Sequence, residues 1–326
     1  MYAIQILHEN NTPRLIWAET EDPTIQPDEV LVDVHATALN RADLAQAAGN
    51  YPPPPGASSI LGLDMAGVVA EVGADVTGWQ RGDKVCALLA GGGYAEKVAV
   101  PAAMLMPIPA GWDFETAAAM PEVYLTAFLN IFMEANFQPG ETVLIHGGAS
   151  GVGTAAIQLV KAAGGTVIAT AGKADKVQVC RDLGADLAVN YNEDDFVATT
   201  QDFTGNTGVD VILDMVGASY LERNISLLKI KGRLVFIATL GGSVGEINIG
   251  QLMGKRARLI GSVLRARPVA EKSEIVRRFR AQFWSHFEDG SMKPIIGSVY
   301  PVQEAQAAHD AMRAYENIGK IVLKVR

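Results

Sequence analysis

The stretch from Thr142 to Leu159 constrains this chain more than any other. An apolar run, Thr142-Val143-Leu144-Ile145-His146, passes through Gly147-Gly148-Ala149-Ser150-Gly151-Val152-Gly153 straight into the helical pattern Thr154-Ala155-Ala156-Ile157-Gln158-Leu159. Strand, glycine turn and helix in direct succession give a glycine motif physical meaning. Gly148 is expected to permit the tight turn, Gly151 to let a pyrophosphate approach the backbone, and Gly153 to let the helix pack against the sheet. The helix N-terminus then offers free N–H groups and partial positive charge to phosphates. The spacing is Gly-x-x-Gly-x-Gly, not the commoner Gly-x-Gly-x-x-Gly. A glycine-rich turn without a ligand is the alternative.

The following strand selects the dinucleotide. An NAD site carries Asp or Glu about 20 residues after the glycines, to hold the ribose 2′-hydroxyl. Here the strand ends in Thr170-Ala171-Gly172-Lys173-Ala174-Asp175-Lys176. No acid stands at the strand end, and two lysines flank the place of a 2′-phosphate. NADPH is therefore expected over NADH. Asp175 is the one contrary charge, on a first-turn helix residue that can point outward. The competing reading makes the lysines a solvated helix start.

Around this motif the chain changes period. Before Pro121 it reads as short strands and turns, among them Val30–Ala36, Gly67–Gly73, Gly82–Ala87 and Tyr94–Val100, the pattern of a small β-barrel or sandwich. Pro52-Pro53-Pro54-Pro55-Gly56 can occupy neither a helix nor a central strand and is expected as a stiff loop. After Pro121, a helical Val123–Phe137 leads into strands at Thr142–His146, Thr166–Thr170, Leu187–Asn190, Val209–Asp214, Arg233–Ala238 and Arg258–Val263. Helical stretches such as Ala155–Ala163 and Ala174–Leu183 lie between them, as in a doubly wound parallel sheet. The tail from Ile295 returns to strand, helix and strand. The expected domains are 1–121 with 289–326, and 122–288.

Composition excludes several classes. The 326 residues are 49% apolar and 19% charged, enough for a large core. Lys+Arg 27 against Asp+Glu 36 gives a net charge of −9, which disfavours nucleic acid and anionic membrane surfaces. Met1–His8 opens as a strand without a basic start, so a signal peptide is not expected. Tyr124–Met133 is too short to span a bilayer and is interrupted by Asn130. Cys86 and Cys180 are the only cysteines, too few for a disulfide scaffold or a four-cysteine zinc site. His8, His35, His146, His286 and His309 show no ligand spacing, so each reads as a surface or core residue and no metal is expected. A cytoplasmic protein is the expectation.

Several segments in one order carry a family likeness: Ala38-Leu39-Asn40-Arg41-Ala42-Asp43, Tyr51-Pro52-Pro53-Pro54-Pro55-Gly56-Ala57-Ser58, Ile60-Leu61-Gly62-Leu63-Asp64-Met65-Ala66-Gly67, Gly91-Gly92-Gly93-Tyr94-Ala95, Leu125-Thr126-Ala127-Phe128, the glycine loop, and Asn317-Ile318-Gly319-Lys320-Ile321-Val322. Across its whole length the chain resembles the zinc-free quinone oxidoreductases, the zeta-crystallin-like branch of the medium-chain dehydrogenase/reductase superfamily. It is most similar to the tumour-suppressor-inducible subgroup. The resemblance implies a GroES-like β-barrel catalytic domain, built from the first third and the tail, with a Rossmann domain inserted. Zinc-dependent relatives have a cysteine near Asn40 and a histidine where this chain has Gly62-Leu63-Asp64; both are missing.

By the same resemblance, Ser150, Gly151 and Val152 form the pyrophosphate loop, and Gly172, Lys176 and Tyr191 contact the 2′-phosphate. The role of Lys173 is open. Thr126, Val216, Leu240, Val263, Leu264 and Arg265 surround the nicotinamide and its ribose. Asn40 and Tyr51 are the polar residues of the substrate cleft; for Tyr51 the equal alternative is a loop tyrosine packed on proline. The implied reaction is metal-free hydride transfer from NADPH to a quinone, with Asn40 and Tyr51 bonding the developing oxyanion. The alternatives are NADPH-dependent enoyl or 2-alkenal reduction and, outside catalysis, an RNA-binding or structural role. A homodimer acting on a small electron-poor acceptor, without nucleic acid or membrane partners, completes the expectation.

Overall fold

The structure, a computed structural model, describes residues 1–9 and 12–326. The side chain of His8 lies outside the described residues. In chain order the elements are β1 (Tyr2–Glu9), β2 (Thr12–Glu19), β3 (Glu29–Ala38), α1 (Arg41–Ala47), β4 (Asp64–Val72), β5 (Lys84–Leu88), β6 (Lys97–Pro101), β7 (Leu105–Pro107), α2 (Phe114–Ala118) and α3 (Pro121–Phe128). There follow β8 (Thr142–Ile145), α4 (Gly151–Ala162), β9 (Thr166–Ala171), α5 (Ala174–Asp182), β10 (Leu187–Asn190), α6 (Phe196–Phe203), β11 (Val209–Asp214), α7 (Leu221–Leu227), β12 (Leu228–Phe236), α8 (Ile249–Lys255) and β13 (Arg258–Gly261). The tail adds α9 (Val269–Glu288), β14 (Ile296–Pro301), α10 (Ala305–Arg313) and β15 (Lys320–Lys324).

Two compact units result. The first comprises Met1–Leu125 with Leu264–Arg326, the second Thr126–Val263. In the second unit six parallel strands lie in the order β10-β9-β8-β11-β12-β13. Val143, Leu144, Ile145, Val167, Ile168, Val211, Ile212 and Leu213 are fully buried. These strands are apolar throughout because both faces of a parallel sheet are covered. The chain winds outward from β8 to β10, then from β11 to β13. The order therefore reverses between β8 and β11, and ligands of open α/β sheets bind outside the strand ends at such a switch.

The first unit is a mostly antiparallel sheet in the order β14-β15-β3-β4-β5-β7, with β6 also paired to β3 and a separate β1–β2 pair. The returning tail completes it, since β15 pairs antiparallel with β3. Ile4, Leu39, Leu61, Tyr94, Val302, Ile321 and Leu323 form its core, drawing on both ends of the sequence. This is the expected GroES-like and Rossmann pair.

The second boundary differs from the expected 288/289. It falls at Val263/Leu264, so α9 belongs to the first unit. The apolar face of α9 is the reason: Phe279 and Phe287 pack on Tyr124 at centroid separations of 6.3 and 5.0 Å, and Phe287 meets Trp112 edge-on at 5.7 Å. The helix expected over Val123–Phe137 begins at Pro121 and winds into a π-helix over Leu129–Glu134. Phe114–Glu134 as a whole is long and apolar enough to cross a membrane, which Tyr124–Met133 alone is not. Of its apolar window, 83% is buried inside the protein, as in a core helix.

Candidate active site

In the second unit the glycine turn leads directly into α4. Ser150 is the N-cap of α4, and its Oγ accepts from Gly153 N at 3.0 Å. The left-handed residue of the turn is Gly147, with φ +63°. Gly148 is required for space instead: a Cβ there would stand 2.7 Å from Cys180 Sγ and 2.8 Å from Ala169 Cβ. At Gly153 a Cβ would stand 2.3 Å from the Gly147 carbonyl oxygen, so helix and turn close only on a bare backbone. Gly151 and Val152 form the first turn of α4, where N–H groups lack partners within the helix.

The ends of β9 and β10 supply the second part. A Cβ on Gly172 would stand 2.5 Å from the Tyr191 hydroxyl, which places that ring against the strand end. Tyr191 N donates to Ala171 O at 3.0 Å, and Asn192 Nδ2 to Gly172 O at 2.7 Å. Lys173 is the exposed N-cap of α5, and Lys176 stands in that helix's first turn. Asp175 is exposed and its carboxylate accepts from Lys176 N at 2.8 Å. Gly172, Lys173, Lys176 and Tyr191 thus gather at one corner, with no acidic residue ending β9.

A buried polar chain beneath these loops was missed in the sequence. His146, fully buried, lies with Nδ1 3.0 Å from Thr170 Oγ1 and Nε2 2.8 Å from Asn224 Oδ1. Asn224 Nδ2 donates to Asp214 Oδ2 at 3.1 Å. Asp214 Oδ1 accepts from Val216 N at 2.5 Å and Gly217 N at 3.2 Å. Burial lowers the His146 imidazole to about 4 and raises the Asp214 carboxyl to about 6. Spacing along the chain reads His146 as a core histidine, because its two hydrogen-bond partners come from β9 and α7, 24 and 78 residues away.

In the first unit Asn40, Asp43, Asp64 and Lys320 form a second buried cluster. The Lys320 ammonium donates to Leu39 O at 2.8 Å, Asn40 Oδ1 at 2.7 Å and Asp64 Oδ2 at 2.9 Å, which uses all three of its hydrogens. Asn40 Nδ2 donates to Asp64 Oδ2 at 2.8 Å and Glu122 N to Asp64 Oδ1 at 2.7 Å. Asp43 accepts from the backbone N–H of Asn40 and Gly62, and burial raises it to about 6. Asn40 was expected to bond a developing oxyanion. Its carbonyl is taken by Lys320, one amide hydrogen by Asp64, and only the second, 3.4 Å from Ala38 O, is loosely engaged.

Tyr51 and Arg265 meet in the same unit. Arg265 donates to Ala90 O at 2.8 Å and Gln46 Oε1 at 2.6 Å, and its guanidinium lies 5.3 Å from the Tyr51 ring centroid. The Tyr51 hydroxyl has no hydrogen-bond partner among the described residues, and half-burial raises it against the pull of Arg265. Arg265, expected beside the nicotinamide, thus bonds Ala90 and, in α1, Gln46, and approaches the Tyr51 carbonyl at 3.5 Å. Leu264 is buried beside it in sequence; Val263 and Leu240 are exposed in the second unit. Thr126 is buried, and its carbonyl accepts from Asn130 Nδ2 at 2.8 Å. Among the described residues no three His, Cys, Asp or Glu side chains are grouped to hold a metal ion.

Comparison with known proteins finds two family matches, the second of which runs past Val263 into α9. Residues 26–110 match the alcohol dehydrogenase GroES-like domain and residues 151–280 the zinc-binding dehydrogenase family. Quinone oxidoreductase of Rattus norvegicus is 32% identical over 303 residues, covering 92% of this chain and 90% of the relative. Escherichia coli quinone oxidoreductase complexed with NADPH is similar with a TM-score of 0.87 at 29% identity, over 100% of both chains. CurK enoyl reductase gives a TM-score of 0.85 at 27% identity, over 100% of this chain and 99% of the other. By its two matched domains and its near-full-length likeness to quinone oxidoreductases, the chain belongs to the medium-chain dehydrogenase/reductase superfamily, in its quinone oxidoreductase branch.

Proposed function

We propose that the chain reduces quinones with NADPH and without a metal. The observation that carries the cofactor choice is the corner at the end of β9. Gly172, Lys173, Lys176 and Tyr191 lie at the ends of β9 and β10 and the start of α5. No acidic residue ends β9 to hold a 2′-hydroxyl, and the Asp175 carboxylate accepts from Lys176 N. Ser150, Gly151 and Val152 hold the pyrophosphate through the first turn of α4. Lys176, with Lys173 beside it, meets the 2′-phosphate as a point charge, and Tyr191 donates a hydrogen bond. Thr126, Val216, Leu240, Val263 and Leu264 flank the nicotinamide end. When bound, NADPH supplies the hydride.

The acceptor side rests on the first unit's cluster. A catalytic metal would require oxygens from Asn40 or Asp64, and Lys320 already occupies both with its ammonium. A quinone needs no Lewis acid, because charge gained with a hydride spreads into its ring, whereas a simple ketone holds that charge on one oxygen. Tyr51 carries the partner-free hydroxyl and donates the proton or hydrogen bond; Arg265 orients it through the ring and loop. Asn40 contributes its loosely engaged amide hydrogen and otherwise positions the cleft.

The likeness to CurK enoyl reductase favours a second reading, reduction of an activated C=C bond. Steady-state NADPH oxidation against a panel of quinones, 2-alkenals, enoyl thioesters and simple ketones separates the two. Quinones should have the highest kcat/KM and simple ketones the lowest. Higher kcat/KM for enals or enoyl thioesters would transfer the assignment to C=C reduction, and rapid ketone turnover with none on quinones would refute both.

A further inference from the structure

We propose that His146, held as the neutral Nε2–H tautomer, is a positioning residue that ties the 2′-phosphate end of the dinucleotide site to the turn after β11. The functional half of this proposal rests on the NADPH reading above. The tautomer follows from the hydrogen bonds alone. An ionised Asp214 only accepts, so Asn224 must present Nδ2 to it at 3.1 Å. Asn224 Oδ1 therefore faces His146 Nε2 at 2.8 Å, and that nitrogen must carry the hydrogen. Nδ1 is left as an acceptor, and Thr170 Oγ1 donates to it across 3.0 Å. Each donor is fixed by the carboxylate at the far end.

Both ends of the chain reach functional loops. Thr170 precedes Ala171 and Gly172 at the corner with Lys176 and Tyr191. At the other end Asp214 fixes Val216 N and Gly217 N, and the turn continues into the next loop: Leu240 N donates to Met215 O at 3.1 Å and Gly241 N to Val216 O at 2.7 Å. His146 sits at the end of β8, beside the reversal of strand order, with its ring edge-on to Phe196 and Tyr220 at 5.1 and 5.0 Å. Complete burial keeps the ring neutral at pH 7, its value lying near 4. A fully satisfied buried network of this kind permits one arrangement of the loops it joins.

The test is 15N NMR of histidine-labelled full-length protein at pH 7, combined with NADPH and NADH dissociation constants. Wild type should show His146 protonated at Nε2 and unprotonated at Nδ1. In Asp214→Asn the new amide keeps its oxygen at Oδ1 toward Val216 N and Gly217 N, gives up the Gly217 N bond to Oδ2, and donates from that second position to Asn224. Asn224 then flips, and the His146 hydrogen moves to Nδ1. His146→Phe keeps a ring between Phe196 and Tyr220 but loses both polar ends; its NADPH Kd should rise about tenfold, as for one lost hydrogen bond. A wild-type Nδ1–H or doubly protonated ring, an unchanged tautomer in Asp214→Asn, or a folded His146→Phe with wild-type NADPH affinity would each overturn the proposal. If His146→Phe does not fold, the two spectra decide. Wild type that binds no NADPH while showing the Nε2–H ring overturns the cofactor reading instead.

Discussion

Lys320 donates to Asp64 at 2.9 Å with the two side chains 3% and 0% exposed, and Asn40 bonds both of them. Breaking this pair from one side leaves a buried charge unpaired. Lys320→Met should cost about 3–5 kcal/mol for that reason. Adding Asp64→Asn removes the stranded charge, while its amide oxygen still accepts from Glu122 N. The double variant should therefore unfold at higher urea than Lys320→Met alone. A double variant less stable than the single would show that the ion pair does not govern the cluster.

Lys176→Ala should weaken NADPH selectively. A hydrogen bond to a charged group contributes about 1.5–3 kcal/mol, roughly 10- to 100-fold in affinity. NADH lacks the phosphate and should bind as before. Lys173 shares the corner, so Lys173→Ala/Lys176→Ala should erase the preference for NADPH. Dissociation constants for both cofactors at one salt concentration decide the matter. Equal losses for the two would assign the lysines to folding or general charge.

Two glycines of the site should respond differently to alanine. At Gly153 the added Cβ meets backbone, the Gly147 carbonyl oxygen at 2.3 Å, and nothing nearby can yield cheaply. Gly153→Ala should lower the melting temperature and abolish dinucleotide binding together. At Gly172 the added Cβ meets the end of the Tyr191 side chain, which is 44% exposed and can swing away. Gly172→Ala should leave the melting temperature near wild type and reduce only NADPH affinity. Matching thermal losses would contradict this contrast.

Much of this was legible in advance, and the misses share a cause. The parallel sheet was readable because its strands are continuously apolar and its glycine turn joins strand to helix within a few residues. β10 and β11 fall where periodicity places them. What escaped was long-range. α9 sides with the first unit through Tyr124 and Trp112, far away in sequence. His146 meets Thr170, Asn224 and, through Asn224, Asp214 only in the folded sheet. Asn40 has its carbonyl taken by Lys320, 280 residues away, and an amide hydrogen by Asp64. Glycine spacing located the turn, but which of two adjacent glycines takes the left-handed conformation and which is packed against Cys180 depends on tertiary contacts.

Stability should respond to pH through two opposed buried groups. His146, lowered to about 4 from 6.5, contributes stability above its ordinary value that is lost as pH falls from about 6.5 toward 4. Asp214, raised to about 6 from 3.8, does the reverse: its contribution is complete below about 4 and is lost as pH rises through 6. Between pH 4 and 6 the two largely cancel. In Asp214→Asn only the histidine effect remains. Acidification from pH 6 to 4 should then cost more stability than in wild type, by up to about 1.4 kcal/mol per pH unit. Urea midpoints across that range check it, and parallel curves for the two proteins would contradict it.

Quinone-dependent NADPH consumption by protein stripped of metal with a strong chelator tests the central reading most directly. With Lys320 already satisfying Asn40 and Asp64, the stripped protein should contain no stoichiometric zinc and reduce a planar ortho-quinone at the untreated rate. Activity that disappears on stripping and returns with about one zinc per chain would contradict the account, as would a quinone reduced no faster than in the absence of protein.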